Sequence, residues 1–297
     1  MPQILLEWTR KTDISGLSIF SIAARRILTM NKLAQQTVLA TIAMFACMFC
    51  GCSTFNAFEQ HSDLGLSRSN SMHDISIVRG KPRPIVDGLG KVFGIPNQIA
   101  LGNPRVDNHS ISQETEQQVI EYLQDQQLDS VLVRANQYDP VGEWKRMVAN
   151  KDVRPVWKLT AGNYNLLKYT LLPGRITGGD WYNPYSQTLN LYSDVAPLAI
   201  SSAAYAQDVQ SRVNPGAYAA LKEVPGIGLK HDTTATKLTI DWYSQQHPDQ
   251  LQAAEDILYP NYGASWGGQI GAFLPYGEVL GRLAGGLAGR AANAVRK

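Results

Sequence analysis

The clearest alternation of apolar and polar side chains lies at residues 188–192, and it predicts a β-strand. After a short turn, Pro197 stands near the first turn of the next segment, where a helix tolerates a missing N–H. An Ala-rich run then predicts a helix that ends near Gln210. This order of strand, turn and helix brings the start of the helix to the edge of a sheet.

The chain from residue 77 onward mixes helical and strand-like patterns. Helices are predicted at residues 110–127, from Pro140 onward, and at residues 217–223, 234–246 and 248–258. Strands are predicted at residues 129–138 and 155–159, a turn at Gly178-Gly179, and short strands and turns in the Gly- and Pro-rich residues 77–104. This mixture predicts an α+β domain over residues 77–259, with a small sheet and packed helices.

Residues 38–49 form a strongly apolar run, which Lys32 precedes. The run is shorter than the roughly 20 residues of a membrane-spanning helix, but it fits the roughly 7–15 residues of a signal-peptide core. The next residues, Phe49-Cys50-Gly51-Cys52-Ser53, resemble a bacterial lipobox, in which a small residue precedes the cysteine that is acylated. Phe49 departs from the usual leucine. Cys47 is an alternative lipidation site, and a buried N-terminal helix is the alternative structure.

The lipobox resemblance implies that residues 1–52 are a signal peptide and that Cys52 carries the lipid. Met30 is an alternative translation start, because the residues after it make a signal-peptide n-region of ordinary length. Residues 53–76 are polar and lack periodicity, so we expect a tether there. Ser53 follows Cys52 at the position where some lipoproteins carry aspartate. A serine at this position resembles lipoproteins of the outer membrane. We therefore expect a lipid-anchored protein of the cell envelope, on the outer membrane and facing the periplasm.

Cysteine usage and charge exclude several classes of protein. All three cysteines of the chain lie at positions 47, 50 and 52, so neither a disulfide scaffold nor a cysteine-ligated metal site is expected in the globular domain. The formal net charge is +2, but an excess of basic residues among residues 1–52 leaves the remainder nearly neutral. We therefore expect no nucleic-acid partner.

The block GDWYNPYSQTLNLY at residues 179–192 precedes the Ala-rich helix that contains Asp208. Together they resemble gluzincin-type zinc metallopeptidases, in which a strand at the cleft edge precedes a helix bearing H-E-x-x-H. Two histidines four residues apart share a helix face and bind one Zn²⁺, and the glutamate activates its water. The matching positions here are Ser201 and Tyr205 for the histidines and Ser202 for the glutamate. Asp208 matches an acid that often supports the ligands.

The resemblance implies a zincin-like domain that lacks the zinc motif. Serine is a poor zinc ligand at neutral pH and the pKa of tyrosine is near 10, so we expect no metal, no cofactor and no catalytic residue. The alternative interpretation is a plain core helix, in which Ala199, Ala203 and Ala206 pack closely on the sheet. In that case Ser201 and Ser202 bond back to the preceding turn. The two interpretations are compatible, because a former catalytic helix becomes a core helix once its ligands are lost.

Aromatic residues and one histidine are the other candidates for a site. Trp181, Tyr182 and Tyr185 are expected to line a cleft with His231, or else to form a packed turn. The chain has five histidines, which show no metal-ligand spacing. A serine of the Ala-rich helix with His231 would make a nucleophile–base pair, but no G-x-S-x-G elbow supports it.

Residues 260–297 predict a Gly-rich helical tail. Glycines recur every four residues at Gly263, Gly267 and Gly271 and again at Gly277, Gly281, Gly285 and Gly289. This spacing puts the glycines on one helix face and lets a second helix approach closely. Glycine costs roughly 1 kcal/mol relative to alanine in a helix, so the pattern predicts a partner surface. The alternatives are a membrane-surface hairpin, self-association through the last four glycines, and a close-packed terminal helix.

Taken together, these patterns predict a lipid-anchored envelope protein without catalytic activity, which acts by binding or as a structural element. One alternative is an envelope hydrolase that uses a serine with His231. Another is an assembly or membrane-associating protein that acts through the glycine ladder.

Overall fold

The computed structural model describes residues 75–224, 226–271 and 277–296. The predicted signal peptide, Cys52 and almost all of the predicted tether lie outside the described residues. The described chain has a mixed α+β fold, with helices packed around a small four-stranded sheet. No described helix has the length and hydropathy that crossing a membrane requires.

The sheet consists of β1 (Ile77–Arg79), β2 (Leu132–Ala135), β3 (Trp181–Asn183) and β4 (Thr188–Leu191). Its spatial order is β1-β2-β4-β3. β1, β2 and β4 are parallel, and β3 runs antiparallel to β4 at the edge. The strands predicted around residues 129–138 and 188–192 are therefore confirmed, and they are neighbours.

Helices make up most of the remaining described chain. They are α1 (Pro84–Leu101), α2 (Gln113–Asp125), α3 (Pro140–Ala149), α4 (Pro155–Trp157), α5 (Asn163–Leu171), α6 (Gly174–Thr177), α7 (Ala196–Gln210), α8 (Pro215–Leu221), α9 (Gly228–Gln246), α10 (Leu251–Gly271) and α11 (Gly277–Arg296). The π-helical segment Lys158–Gly162 joins α4 to α5. α7 has Pro197 in its first turn and ends at Gln210, as the sequence predicts.

The two faces of the sheet differ in chemistry because side chains alternate along each strand. Val133 and Leu189 belong to the main apolar core, to which α2, α7, α9 and α10 also contribute. Arg134 points to the opposite face, where its guanidinium lies 3.4 Å from the Glu143 carboxylate of α3. The Asn183 amide donates to the same carboxylate at 2.9 Å. The apolar face thus carries α7, whereas the other face carries a buried polar network.

The prediction of short strands and turns at residues 77–104 is wrong beyond β1, because α1 occupies most of this segment. The helix continues through its glycines. Two of them, Gly90 and Gly94, face a closely packed loop. A Cβ at Gly90 would lie 2.3 Å from His109 Nε2, and a Cβ at Gly94 would lie 2.6 Å from Asp107 Cβ. Glycine at these positions permits tertiary contact.

The predicted strand at residues 155–159 is also wrong. Pro155 stands in the first turn of α4, and the chain continues through the π-helical segment into α5. At the end of that segment Gly162 packs closely on α3, where an added Cβ would lie 2.8 Å from Met147 Sδ. A short apolar run after a proline is compatible with either a strand or a helix, and tertiary packing selects the helix here.

The glycine ladder forms a hairpin within one chain. α10 and α11 pack along their length, and their glycine faces meet backbone to backbone. A Cβ at Gly267 would lie 1.8 Å from the Gly281 carbonyl oxygen, and a Cβ at Gly263 would lie 2.3 Å from that of Gly285. The partner surface that the ladder predicts is therefore present in the same chain. The predicted start of the tail, at residue 260, falls within α10.

We expect Gly281→Ala to destabilise the chain by about 1–3 kcal/mol, because the new methyl group would lie 2.0 Å from the Gly267 carbonyl oxygen. Gly88→Ala in α1 is the matched control, since its Cβ meets nothing within 4 Å. That substitution should stabilise by about 0.5–1 kcal/mol through helix propensity. Urea unfolding followed by circular dichroism measures both changes. An equal, small effect at the two positions would contradict the hairpin packing.

Candidate functional site

α7 carries the positions that match the zinc motif. Ser201 and Ser202 are partly exposed, whereas Tyr205 and Asp208 are each 4% exposed. The helix packs on β3, β4, α2 and α9, so the face that includes Tyr205 lies inside the domain.

Tyr205 is surrounded by other rings and by one cation. Its ring meets His231 edge-on at a centroid distance of 5.7 Å and Tyr182 at 6.1 Å. The Lys222 ammonium nitrogen lies 3.7 Å from the centre of the Tyr205 ring, within the range of a cation–π contact. Burial raises the pKa of the Tyr205 phenol well above its usual value, so this side chain remains neutral.

His231 of α9 is 1% exposed and lies between two tyrosine rings. The centre of the His231 ring lies 4.2 Å from the centre of the Tyr218 ring of α8 and 5.7 Å from that of Tyr205. Burial and the Lys222 charge lower the pKa of His231, so the imidazole is neutral at pH 7. Asp232, the next residue, forms an ion pair with the Lys222 ammonium at 3.4 Å.

Asp208 connects α7 to the segment that follows it. The Tyr218 hydroxyl donates to Asp208 Oδ2 at 2.7 Å, and the Arg212 guanidinium forms an ion pair with Oδ1. Arg212 also lies over the Tyr218 ring, 4.4 Å from its centre. This carboxylate therefore fixes the start of α8 against the end of α7, and through Tyr218 it holds His231.

The donor set around α7 does not fit a zinc ion. The three motif positions offer two hydroxyls and a phenol that resists ionisation, and an ammonium group lies on the phenol ring. Zinc sites use thiolate, imidazole or carboxylate ligands. A neighbouring ammonium group also repels a Zn²⁺ ion electrostatically. The described residues contain no group of three His, Cys, Asp or Glu side chains that could hold a metal ion.

The aromatic residues predicted to line one cleft with His231 are distributed over different environments. Tyr182 and Tyr185 are buried in the main core, and Tyr182 contacts Tyr205 there. Trp181 lies on the other side of β3 and contacts Tyr169 of α5 at 5.8 Å. The structure brings Tyr182, Tyr205 and His231 together as packed rings, while Trp181 borders a separate cleft.

A second polar cluster lies at the carboxyl ends of the parallel strands, and sequence reasoning missed it. Asp107 is fully buried, and its carboxylate accepts hydrogen bonds from the Asn97 amide at 2.8 Å and the Gly179 N–H at 2.6 Å. Ser193, just after β4, accepts a bond from the Asp107 N–H at 3.0 Å. This edge is where ligands commonly bind in open sheets of parallel strands.

Asp180 belongs to the same cluster. Its Oδ1 accepts the backbone N–H groups of Tyr192 at 2.6 Å and Ser193 at 3.0 Å, while its buried Oδ2 has no hydrogen-bond partner among the described residues. Burial and, to a smaller extent, the negative charge of Asp107 raise the pKa of Asp180 to about 7, against the two backbone bonds that lower it. Asp180 therefore titrates near neutral pH.

A cleft of about 460 Å³ opens beside Asp180. α1, α11 and the residues 177–181 line it, and Trp181 is among them. Gly178 and Gly179 form the predicted turn here, and both have left-handed backbone angles, with φ of 71° and 83°. The pairing of these glycines with Asp180 before a strand is the only sequence signal that marks the place.

Comparison of the chain with protein-family models, with curated proteins and with solved structures finds no match. The chemistry of the site therefore rests on the residues described above.

The raised pKa of Asp180 predicts a pH-dependent stability. Asp180 keeps its proton in the folded chain up to about pH 7, whereas in the unfolded chain it releases the proton near pH 4. The stability that Asp180 contributes is therefore complete below pH 4 and is lost as the pH rises to about 7. The free energy of unfolding should fall over this range by up to about 1.4 kcal/mol per pH unit from this group. Asp180→Asn, which mimics the protonated acid, should remove that fall in urea unfolding curves.

Asp87→Asn is the matched control. The Asp87 carboxylate is paired with the buried Arg175 guanidinium at 2.7 Å, and its hydrogen bonds to Arg175 hold the pKa of Asp87 below its usual value against the effect of burial. That substitution should destabilise the chain at neutral pH and have less effect in acid. If wild type and Asp180→Asn lose stability in parallel between pH 4 and pH 7, Asp180 does not titrate as described.

Proposed function

We propose that this chain is a lipid-anchored protein of the cell envelope, held at the outer membrane through Cys52, and that it acts by binding or as a structural element. The globular domain is proposed to derive from a zincin-like metallopeptidase whose catalytic helix became a core helix. No enzymatic activity is assigned to it.

The environment of Tyr205 is the observation that supports a non-catalytic role for α7. At the position of the second zinc-binding histidine stands a buried phenol, packed against His231 and covered by the Lys222 ammonium. A cation over this ring supplies a positive charge close to where the resemblance implies a metal. Two carboxylates nearby are engaged in structural contacts, since Asp208 accepts a hydrogen bond from Tyr218 and Asp232 pairs with Lys222.

The order of elements around α7 supports the proposed ancestry. β3 is the antiparallel strand at the sheet edge, β4 lies beside it, and α7 follows β4 directly. The resemblance implies the same order, with an edge strand at the cleft before the motif helix. The block at residues 179–192 contains both strands.

A binding role is supported by the cleft beside Asp180, which has the size of a small-molecule site and mixes aromatic and charged lining residues. It lies at the carboxyl edge of the parallel strands, outside the degenerate motif. The proposed activity is therefore recognition of a ligand or partner.

Elemental analysis of the purified full-length chain tests the loss of zinc chemistry. We expect zinc well below one equivalent after dialysis against buffer that contains micromolar Zn²⁺. Lys222→Ala should give the same result, because it removes the cation but supplies no ligand. Tight binding of one zinc per chain by the wild type would overturn the proposal, and zinc bound by Lys222→Ala alone would show that the lysine, and not the missing ligands, excludes the metal.

A further inference from the structure

α1 exposes an almost uncharged face to solvent. Its large exposed side chains are Ile85, Leu89, Val92, Phe93, Ile95 and Ile99, with exposures of 82%, 48%, 61%, 60%, 46% and 55%. Within α1, all of which the structure describes, Lys91 is the only charged residue at an exposed position. Soluble monomers rarely leave so many large apolar side chains together on one element.

The spacing of these residues places them on one side of the helix. Leu89 lies about one helical turn after Ile85, and Val92 and Phe93 lie about two turns after it. Ile99 follows Val92 by about two further turns. The opposite side of α1 packs on α6, α10 and α11. α1 is therefore an amphipathic helix whose inner side is closely packed and whose outer side is apolar and has no partner among the described residues.

The apolar face continues across the cleft onto α11. Phe93 and Pro96 of α1 line one wall, and Val279 and Leu283 of α11 line the other. Val279 is itself 51% exposed. Because both helices border the same cleft, the exposed apolar surface is wider than a single helix.

Charges around this surface are mainly basic. Lys81 and Arg83 are exposed just before α1, Lys91 lies at the border of its apolar side, and Arg282 lines the cleft. The negative charge of Asp87 is paired with Arg175. Glu278 and Asp180, which both line the cleft, are the opposing acids nearby. Apolar side chains with a basic border suit the interface of an anionic bilayer.

We propose that the outer face of α1, continued by Val279 and Leu283 of α11, docks onto the surface of the membrane. The inference rests on the proposed lipid anchor, because α1 is the first helix after Cys52 among the residues that the structure describes. An anchor keeps the domain at the bilayer, so even a weak apolar contact there is populated through the high effective concentration. The docked domain would hold the cleft beside Asp180 at the level of the lipid headgroups.

Nitroxide labels on single introduced cysteines test the docking in the full-length lipidated protein. Val92→Cys and Ile85→Cys report on the proposed face, and Val213→Cys, at a position 102% exposed in the loop after α7, is the matched control. The protein is reconstituted in vesicles of phosphatidylethanolamine and phosphatidylglycerol. Collision rates with oxygen, which concentrates in the bilayer, and with a water-soluble nickel chelate are measured by electron paramagnetic resonance.

We expect labels at positions 85 and 92 to collide several-fold less with the nickel chelate, and more with oxygen, than the label at 213. Equal access of the chelate at all three positions in floating vesicles would leave the anchor intact and overturn the docking. Shielding of position 92 from both reagents, with spin–spin broadening, would show a second copy of the chain on this face and would also overturn it.

Two further controls separate the docking from the anchor. Flotation of the labelled protein should be lost in Cys52→Ser, and flotation that does not depend on Cys52 would overturn the proposed lipid anchor while the labels still report the docking. Val148→Cys, 56% exposed on α3, reports on another apolar surface. Shielding there in place of position 92 would contradict the assignment to α1.

Discussion

The close approach of α7 to the sheet is the contact on which the rest of the fold depends. Ala199, Ala203 and Ala206 have no solvent exposure, and their small side chains let the helix backbone lie near the strands. α2, α8, α9 and α10 all pack against α7, so its position sets theirs. A bulky side chain at any of these alanines would have to displace either the sheet or a neighbouring helix.

The same packing engages Tyr205 and Asp208 of α7 in structural contacts. Tyr205 faces the same interior as the alanines, and burial keeps its phenol neutral. Asp208 is used to hold Tyr218 and Arg212. Tyr205 and Asp208 are thus engaged in packing contacts, whereas the cleft beside Asp180 is lined by α1, α11 and residues 177–181.

Sequence patterns predict the local elements well where the signal is local. The strand and helix at residues 188–210 follow from alternation and from Pro197, and the glycine ladder correctly predicts a closely packed partner. α1 is missed because Gly90 and Gly94 look like helix breakers, whereas in the structure they permit close contact with the loop that follows α1. The cluster of Asp107 with Asp180 is missed because 72 residues separate Asp107 from Gly179, and only the folded sheet edge brings them together.

Lys222, Tyr205 and His231 form a packed cluster of side chains, and Tyr205 stands at a position that the resemblance matches to a zinc ligand. Nuclear magnetic resonance of protein with labelled lysine and histidine, recorded with and without equimolar Zn²⁺, tests it most directly. The ring of Tyr205, 3.7 Å from the Lys222 nitrogen, should shift the side-chain protons of Lys222 upfield, and zinc should leave the Lys222 and His231 signals unchanged. Lysine signals at their ordinary positions together with a zinc-dependent shift of His231 would contradict the account.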